Sequence, residues 1–193
     1  MPKVINDENV FKAVIAILVD RGYENATTKE IAEAAGFHEA TLFRKYGTKA
    51  SLTAKAMDAQ LSTTPLSQLS YTGDLKADLC AIVQAYIDTN EQYGPVIPLL
   101  LAEAPRHPEL KAALARPLAN IAGIVSIIQH YQGQGLLRTE APLMTIGVLI
   151  GPLMSRQLLQ RAVNDLPPIV VNVQDYVAAF LQGRSTIASA ANI

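Results

Sequence analysis

The chain has 193 residues, half of them apolar, with 17% charged residues, 6% aromatics and no Trp. That is enough for one domain of usual size plus a small one, and enough apolar material to bury a core. A formal net charge of −1 excludes bulk electrostatics as the basis of any nucleic-acid binding.

The charge is split only weakly. Residues 1–57 carry a net +1 and the remainder a net −2. Any DNA site must therefore come from where the charges stand rather than from their amount. Cys80 is the sole cysteine, which excludes an intramolecular disulfide and fits a reducing, cytoplasmic setting. The start, "MPKVINDENV", lacks the apolar core of a signal peptide. The apolar stretch Leu143–Met154 is interrupted by Gly147, Gly151 and Pro152. It falls short of the ~20 residues of a membrane span, so no membrane partner is expected.

Apolar residues recur at i, i+3 and i+4 and strand-type alternation is rare, which predicts an all-α protein. A first helix is expected from Asp7 to Arg21, capped by Asn6 or Asp7. It has Phe11, Val14, Ile15 and Leu18 on one face and Gly22 at its end. A second helix begins at Thr27, which with Glu30 has capping-box spacing. Ile31, Ala34 and Ala35 point inward, and Gly36 turns the chain. A third helix covers Glu39–Tyr46. Thr48 caps a fourth that runs to about Gln60.

The polar stretch Leu61–Asp74 is a loop or an irregular end to the fourth helix. Longer helices follow at about 74–92, 95–104, 108–132, 142–163 and 173–182, several starting beside Pro. The tail "GRSTIASAANI" is small and polar and is expected to fray. No internal repeat stands out.

Two short helices joined by a glycine turn, with a third before them, describe a helix-turn-helix. At about 100° per residue, Leu42 and Tyr46 share the inward face of the Glu39–Tyr46 helix. Ala40, Thr41, Phe43 and Arg44 face outward. That outward face suits a major groove. Arg44 can bond a guanine edge or a phosphate, Thr41 can bond a base or touch a thymine methyl, and Ala40 permits close approach. His38, Lys45 and Lys49 complete the polar cluster. The two lysines stand where the helix exit and the next helix start can meet phosphates.

The segment "ENATTKEIAEAAGFHEATLFRKYGTKASL" resembles the DNA-binding segment of the TetR family of bacterial transcriptional regulators, over about Val10–Leu52. The resemblance implies a helix-turn-helix domain over residues 1–52, with its motif at 27–46. A larger helical effector-binding and dimerisation domain follows over 53–193. It also implies a homodimer, a palindromic double-stranded operator and repression relieved by a small molecule. It places Thr27 and Thr28 at a phosphate, Glu39, Ala40, Thr41 and Arg44 near base edges, and Phe43 and Lys49 at the DNA backbone. Three positions depart from the family pattern. His38 stands where a capping Ser is usual, Phe43 where Tyr is usual, and Tyr46 where Phe is usual. Tyr46 therefore brings inward a hydroxyl that needs a partner.

In the second domain an apolar interior with Tyr hydroxyls and few charges suits a mostly apolar effector, and the resemblance implies a pocket there. Tyr86, Tyr93, Ile97, Ile124, Ile128 and Met144 are its expected lining. Cys80 reads as a small buried residue rather than a sensor. His107 and His130 read as structural, since neither has a ligand partner at metal spacing. Gly147 and Gly151 permit close helix contact, and the last two helices are the expected dimer surface. No Ser/His/Asp set, metal cluster or phosphate loop is legible, so neither an enzyme nor a cofactor is expected. The alternative is a small-molecule-binding helical protein with a vestigial DNA-binding domain.

Overall fold

The computed structural model describes residues 6–163 and 170–184. Among them are nine α-helices, two short 3-10 segments and no β-strand. Helix α1 spans Asp7–Asn25, and the Asn6 side chain accepts from the amides of Glu8 and Asn9. Of its expected inward face Val14, Ile15 and Leu18 are buried and Phe11 is half-buried, and Val10 joins them in the core. Gly22 kinks the helix rather than ending it. It takes φ 74° and ψ 170°, and a last turn continues to Asn25.

Helix α2 is Thr28–Ala35, with both halves of the Thr27/Glu30 capping box formed. Its inward face holds Ile31 and Ala32. Ala34 is exposed, which corrects the expectation, because α2 turns its 31/32 edge toward α1. Gly36 closes α2 in the left-handed conformation, φ 74° and ψ 35°, where a Cβ is disfavoured. Helix α3, Glu39–Tyr46, has Leu42 and Tyr46 buried. Helix α4, Lys49–Leu61, is capped by the Thr48 hydroxyl, which accepts from the Ser51 amide.

A 3-10 turn at Pro65–Ser67 interrupts the polar stretch before α5, Leu75–Tyr93. Helix α6 is Val96–Glu103. The long helix expected over 108–132 is two elements, a 3-10 turn at Pro108–Lys111 and α7 at Ala115–Gly133. Helices α8, Pro142–Ala162, and α9, Val173–Arg184, complete the described chain. The tail from 185 lies outside the described residues.

The compact units do not follow a single cut after residue 52. One unit runs through Thr64 and takes in Glu91–Ala119. The other holds Pro65–Asn90 and the chain from Asn120 on. In the first unit α1 is the hub, packing on α2, α4 and α6, and α4 also meets the 3-10 turn at Pro108–Lys111. The core joins Val14, Leu18, Ile31, Leu42, Leu52 and Met57 with Leu100 and Leu110. An Arg116–Asp58 ion pair at 2.7 Å adds a surface tie from α4 to the start of α7.

The second unit packs Leu79, Ile82, Val83, Ile124, Ile128, Tyr131, Leu149, Leu153 and Val177. One carboxylate is buried among them. Asp78 accepts from the Thr72 amide at 2.9 Å and from the hydroxyls of Thr72 and Tyr131, each at 2.5 Å. This is the full pairing a buried charge requires, and it anchors the irregular stretch before α5. Helix α8 carries exposed apolar side chains, including Leu143, Met144 and Leu159. Its segment Pro142–Gln160 is long and apolar enough to cross a membrane by length and composition. It is longer than the stretch the sequence suggests, because the helix runs through Pro152.

Candidate nucleic-acid interface

The start of α3 is held from both sides by its sequence neighbours. Gly36 delivers the chain to His38, whose side chain makes no capping bond. The amides of Thr41 and Leu42 reach the His38 carbonyl at 2.9 and 3.4 Å, leaving the first amides of α3 without a side-chain cap. The Glu39 carboxylate instead accepts from the Thr28 hydroxyl, tying the recognition helix to the first turn of α2.

At the other end of α3, Tyr46 solves its own problem. Its ring is buried against Phe11, with centroids 5.8 Å apart, and its hydroxyl donates to Asp7 at 2.5 Å. Lys45 pairs with the same carboxylate. The Lys45 and Tyr46 hydrogen bonds hold the Asp7 carboxyl below its ordinary pKa. Burial, with Asp7 as acceptor, pushes the Tyr46 hydroxyl up. The extra oxygen at position 46 is therefore the link that fixes α3 to the start of α1.

Outward from this frame stand Ala40, Phe43 and Arg44, all exposed, with Thr41 half-buried on the flank. Phe43 is 64% exposed, unusual for an aromatic in a monomer's own terms. Arg44 makes no ion pair among the described residues. Lys45, next to it in sequence, pairs with Asp7, and Arg21 of α1 pairs with Glu30 at 2.7 Å.

Four residues expected at phosphates have partners within the chain: Thr28 and Lys45, bonded to Glu39 and Asp7 as above, and Lys49 and Thr27. The Lys49 ammonium turns inward and donates to the carbonyls of Tyr23, Glu24 and Ala26 at 2.6, 3.3 and 2.9 Å. It lies 4.3 Å from the centre of the Tyr23 ring. Burial pushes its pKa down, and Glu103, Glu109 and Glu24 push it back up. The reason is geometric. The kink at Gly22 leaves the carbonyls of α1's last turn without helical partners, and a cation at the start of α4 is the nearest donor. The Thr27 hydroxyl is likewise engaged, donating to Glu30 at 2.8 Å and accepting from its amide.

The same turn of α1 is gripped from its amide side. The Glu103 carboxylate, at the end of α6, accepts from the amides of Tyr23 and Glu24 at 3.0 and 3.2 Å. Sequence reasoning missed Glu103 because its partners lie some eighty residues away. It also missed Lys29, which is exposed in the first turn of α2 and makes no ion pair among the described residues. A lysine two residues after a capping Thr was the available signal.

The six residues expected to line an effector pocket do not come together within one unit. Tyr93 and Ile97 belong to the first unit's core, and Tyr93 lines a groove of about 300 Å³ with Lys12, Ile15 and Val19. Tyr86, Ile124 and Ile128 belong to the second. Met144 is 60% exposed on α8, because the inward stripe of that helix runs through Leu149 and Leu153 instead. Cys80 is buried. His107 packs edge-on against Tyr23, and His130 stacks on Tyr71. No group able to hold a metal ion occurs among the described residues.

A tri-helical bundle whose third helix is short and shows exposed Ala, Thr, Phe and Arg defines the helix-turn-helix class of DNA-binding module. Residues 11–56 match the model for bacterial regulatory proteins of the tetR family. It is 36% identical over 98 residues to the uncharacterized HTH-type transcriptional regulator YvkB of Bacillus subtilis. That match spans 50% of this chain and about half, 51%, of the relative. A Clostridium perfringens protein named as a candidate fatty acid metabolism regulator shares the fold with a TM-score of 0.71. The two are 17% identical over 90% of this chain and 94% of that one. A candidate TetR-family regulator from Mesorhizobium loti superposes with a TM-score of 0.63, at 20% identity over 93% and 96% of the two chains.

Proposed function

We propose that this protein is a sequence-specific DNA-binding transcriptional regulator. It acts as a two-fold dimer on a palindromic operator and is released as a repressor by a small effector. The observation that carries the reading is Arg44. It stands exposed at the centre of the outward face of α3, while Lys45, next to it in sequence, is paired with Asp7. An unpaired guanidinium on a helix flanked by small and hydroxyl side chains matches a base edge in the major groove. The near-neutral charge of the N-terminal segment means that non-specific attraction adds little, so affinity depends on these few contacts.

The exposed apolar face of α8 supports the dimer. Leu143, Met144 and Leu159 are 63%, 60% and 56% exposed, a patch that a partner's copy of the same helix would cover.

The test is selection of bound sequences from random duplex DNA, followed by mobility shifts with wild type and Arg44→Ala at matched salt. Wild type is expected to select an inverted repeat. Arg44→Ala is expected to lose about 1–3 kcal/mol of affinity for it with an unchanged melting temperature. No selected sequence, or full affinity in the mutant, would overturn the reading.

A further inference from the structure

In the second unit the inward stripes of three helices are aliphatic along their middle and turn polar again at the end away from the Asp78–Tyr131 pair. On α5 the stripe Leu79, Ile82, Val83 continues to Tyr86. On α7 the stripe Ile128, Ile127, Ile124 continues back to Asn120. On α8, Leu149 and Leu153 continue to Arg156 and Gln157. Each polar residue occupies the next inward position by helical spacing.

Hydrogen bonds set the three helices' relative level. Tyr131 of α7 donates to Asp78 of α5. The Gln132 amide of α7 reaches the carbonyls of Arg138 and Glu140 and, at 3.5 Å, the Thr145 hydroxyl of α8. The first turns of α5 and α8 therefore lie against the last turns of α7. From that shared end, at about 1.5 Å per residue, Asn120 lies about 16 Å along α7, Arg156 and Gln157 about 17–18 Å along α8, and Tyr86 about 12 Å along α5. All four polar residues face one end of the unit.

Five buried side-chain polar atoms have no hydrogen-bond partner among the described residues. Four of them are here: Asn120 Nδ2, Arg156 Nε, Gln157 Oε1 and Tyr86 Oη, the last with the Asn90 side chain one turn on bearing on its hydroxyl. None of the ion pairs among the described residues involves Arg156. Buried polar groups left unpaired are costly and rare, so four toward one end of the unit call for a partner that the described residues do not supply. Asn120 Nδ2 and the guanidinium Nε of Arg156 can only donate, the Tyr86 hydroxyl can donate or accept, and Gln157 Oε1 accepts. The complement is an acceptor-rich anion, and Arg's planar fork favours a carboxylate. The aliphatic residues next in each stripe, Ile124 and Leu153, would meet an apolar remainder.

We propose that the effector is a small carboxylic acid. Its head group is bound by Arg156, Asn120 and Tyr86, with Gln157 reading a donor beside it, and its apolar part lies toward Ile124 and Leu153. This rests on the reading of the protein as an effector-controlled regulator. It replaces the mostly apolar effector expected from composition with an anionic one.

The experiment uses the full chain without DNA. Octanoate, octanol and octylamine are titrated by calorimetry and thermal shift against wild type, Arg156→Met and Asn120→Leu. Octanoate is expected to bind wild type and raise its melting temperature, at least tenfold more tightly than octanol or octylamine. Arg156→Met is expected to weaken octanoate at least tenfold and leave octanol unchanged. Without ligand, both variants are expected to melt no lower than wild type, since the removed atoms bond nothing in the chain. Octanoate binding no better than octanol, an unaffected Arg156→Met, or ligand-free variants that melt clearly lower would each overturn the proposal. The last result would show that intrachain bonds or trapped water satisfy these atoms. Octanoate binding that failed to release the selected operator would leave the site intact and remove the regulatory reading instead.

Discussion

Lys29 and Lys49 both stand beside helix starts, yet the structure gives them different surroundings. Lys49 is bound to three carbonyls, whereas Lys29 is exposed. A lysine on a phosphate contributes about one unit to the slope of log affinity against log salt. Lys29→Ala is therefore expected to lower that slope by about one and leave the melting temperature alone. Lys49→Met is expected to leave the slope unchanged and destabilise the fold by about 1–2 kcal/mol, through carbonyls left without a donor. Salt titrations of operator affinity, paired with thermal melts, separate the two. Asp7 supplies a pH test. Its carboxyl is held below the ordinary value by Lys45 and Tyr46, so it binds its proton less tightly folded than unfolded. Its contribution is present above the unfolded pKa of about 4 and is lost as pH falls through the lower folded value. Wild type should melt above Asp7→Asn at pH 7, and the gap should close in melts taken progressively below pH 4.

At the scale of elements, the last turn of α1 is the joint of the first unit. Glu103 of α6 holds its amides, Lys49 of α4 holds its carbonyls, and Gly22 admits both by its backbone conformation. A Cβ at Gly22 would stand 2.6 Å from the Glu103 carboxylate oxygen, at a φ of +74°. The carboxylate is the end of a flexible side chain and can withdraw, but only by releasing the Tyr23 and Glu24 amides. Gly22→Ala is therefore expected to destabilise by more than the ~1 kcal/mol of the left-handed backbone alone. Glu103→Ala should lose about 1–3 kcal/mol from the two charge-assisted bonds. In the double mutant the two losses should not add, because both act through the same contact. Denaturant melts of the four proteins check this, and full additivity would show that the contact is not shared.

For the whole molecule the decisive surface is the apolar face of α8. One short recognition helix buries too little surface for tight selective binding. Two of them must enter successive major grooves about 34–36 Å apart, which requires a rigid dimer. Leu159→Glu places a charge on the exposed face without touching the buried stripe of α8. It is expected to convert a dimer into a folded monomer by light scattering at micromolar concentration. Operator affinity should fall at least tenfold, with helical circular dichroism retained. A wild type that is monomeric, or a mutant dimer with full affinity, would place the interface elsewhere.

Much of the local structure was legible in the amino-acid sequence. The helical class, the Thr27/Glu30 capping box, the Gly36 turn, the limits of α3 and the inward pair Leu42 and Tyr46 all follow from interactions within four residues. Spacing and side-chain chemistry determine those without reference to the rest of the chain. The exposure of Arg44 follows the same way, from its angle to Leu42. What only the tertiary structure decided depends on partners distant in sequence. Asp7 claims Lys45 and the Tyr46 hydroxyl from about forty residues away, and Glu103 reaches back to the Gly22 kink. Lys49 turns inward because that kink frees carbonyls nearby. The break at 112–114, between the 3-10 turn and α7, was hidden because Ala112, Ala113 and Leu114 are good helix formers, and the burial of Ala113 and Leu114 against the first core overrides propensity. The residues proposed to bind an effector were the least legible, since apolar helices offer many equivalent positions. Only packing shows which inward stripes end in polar atoms that the chain itself leaves unpaired.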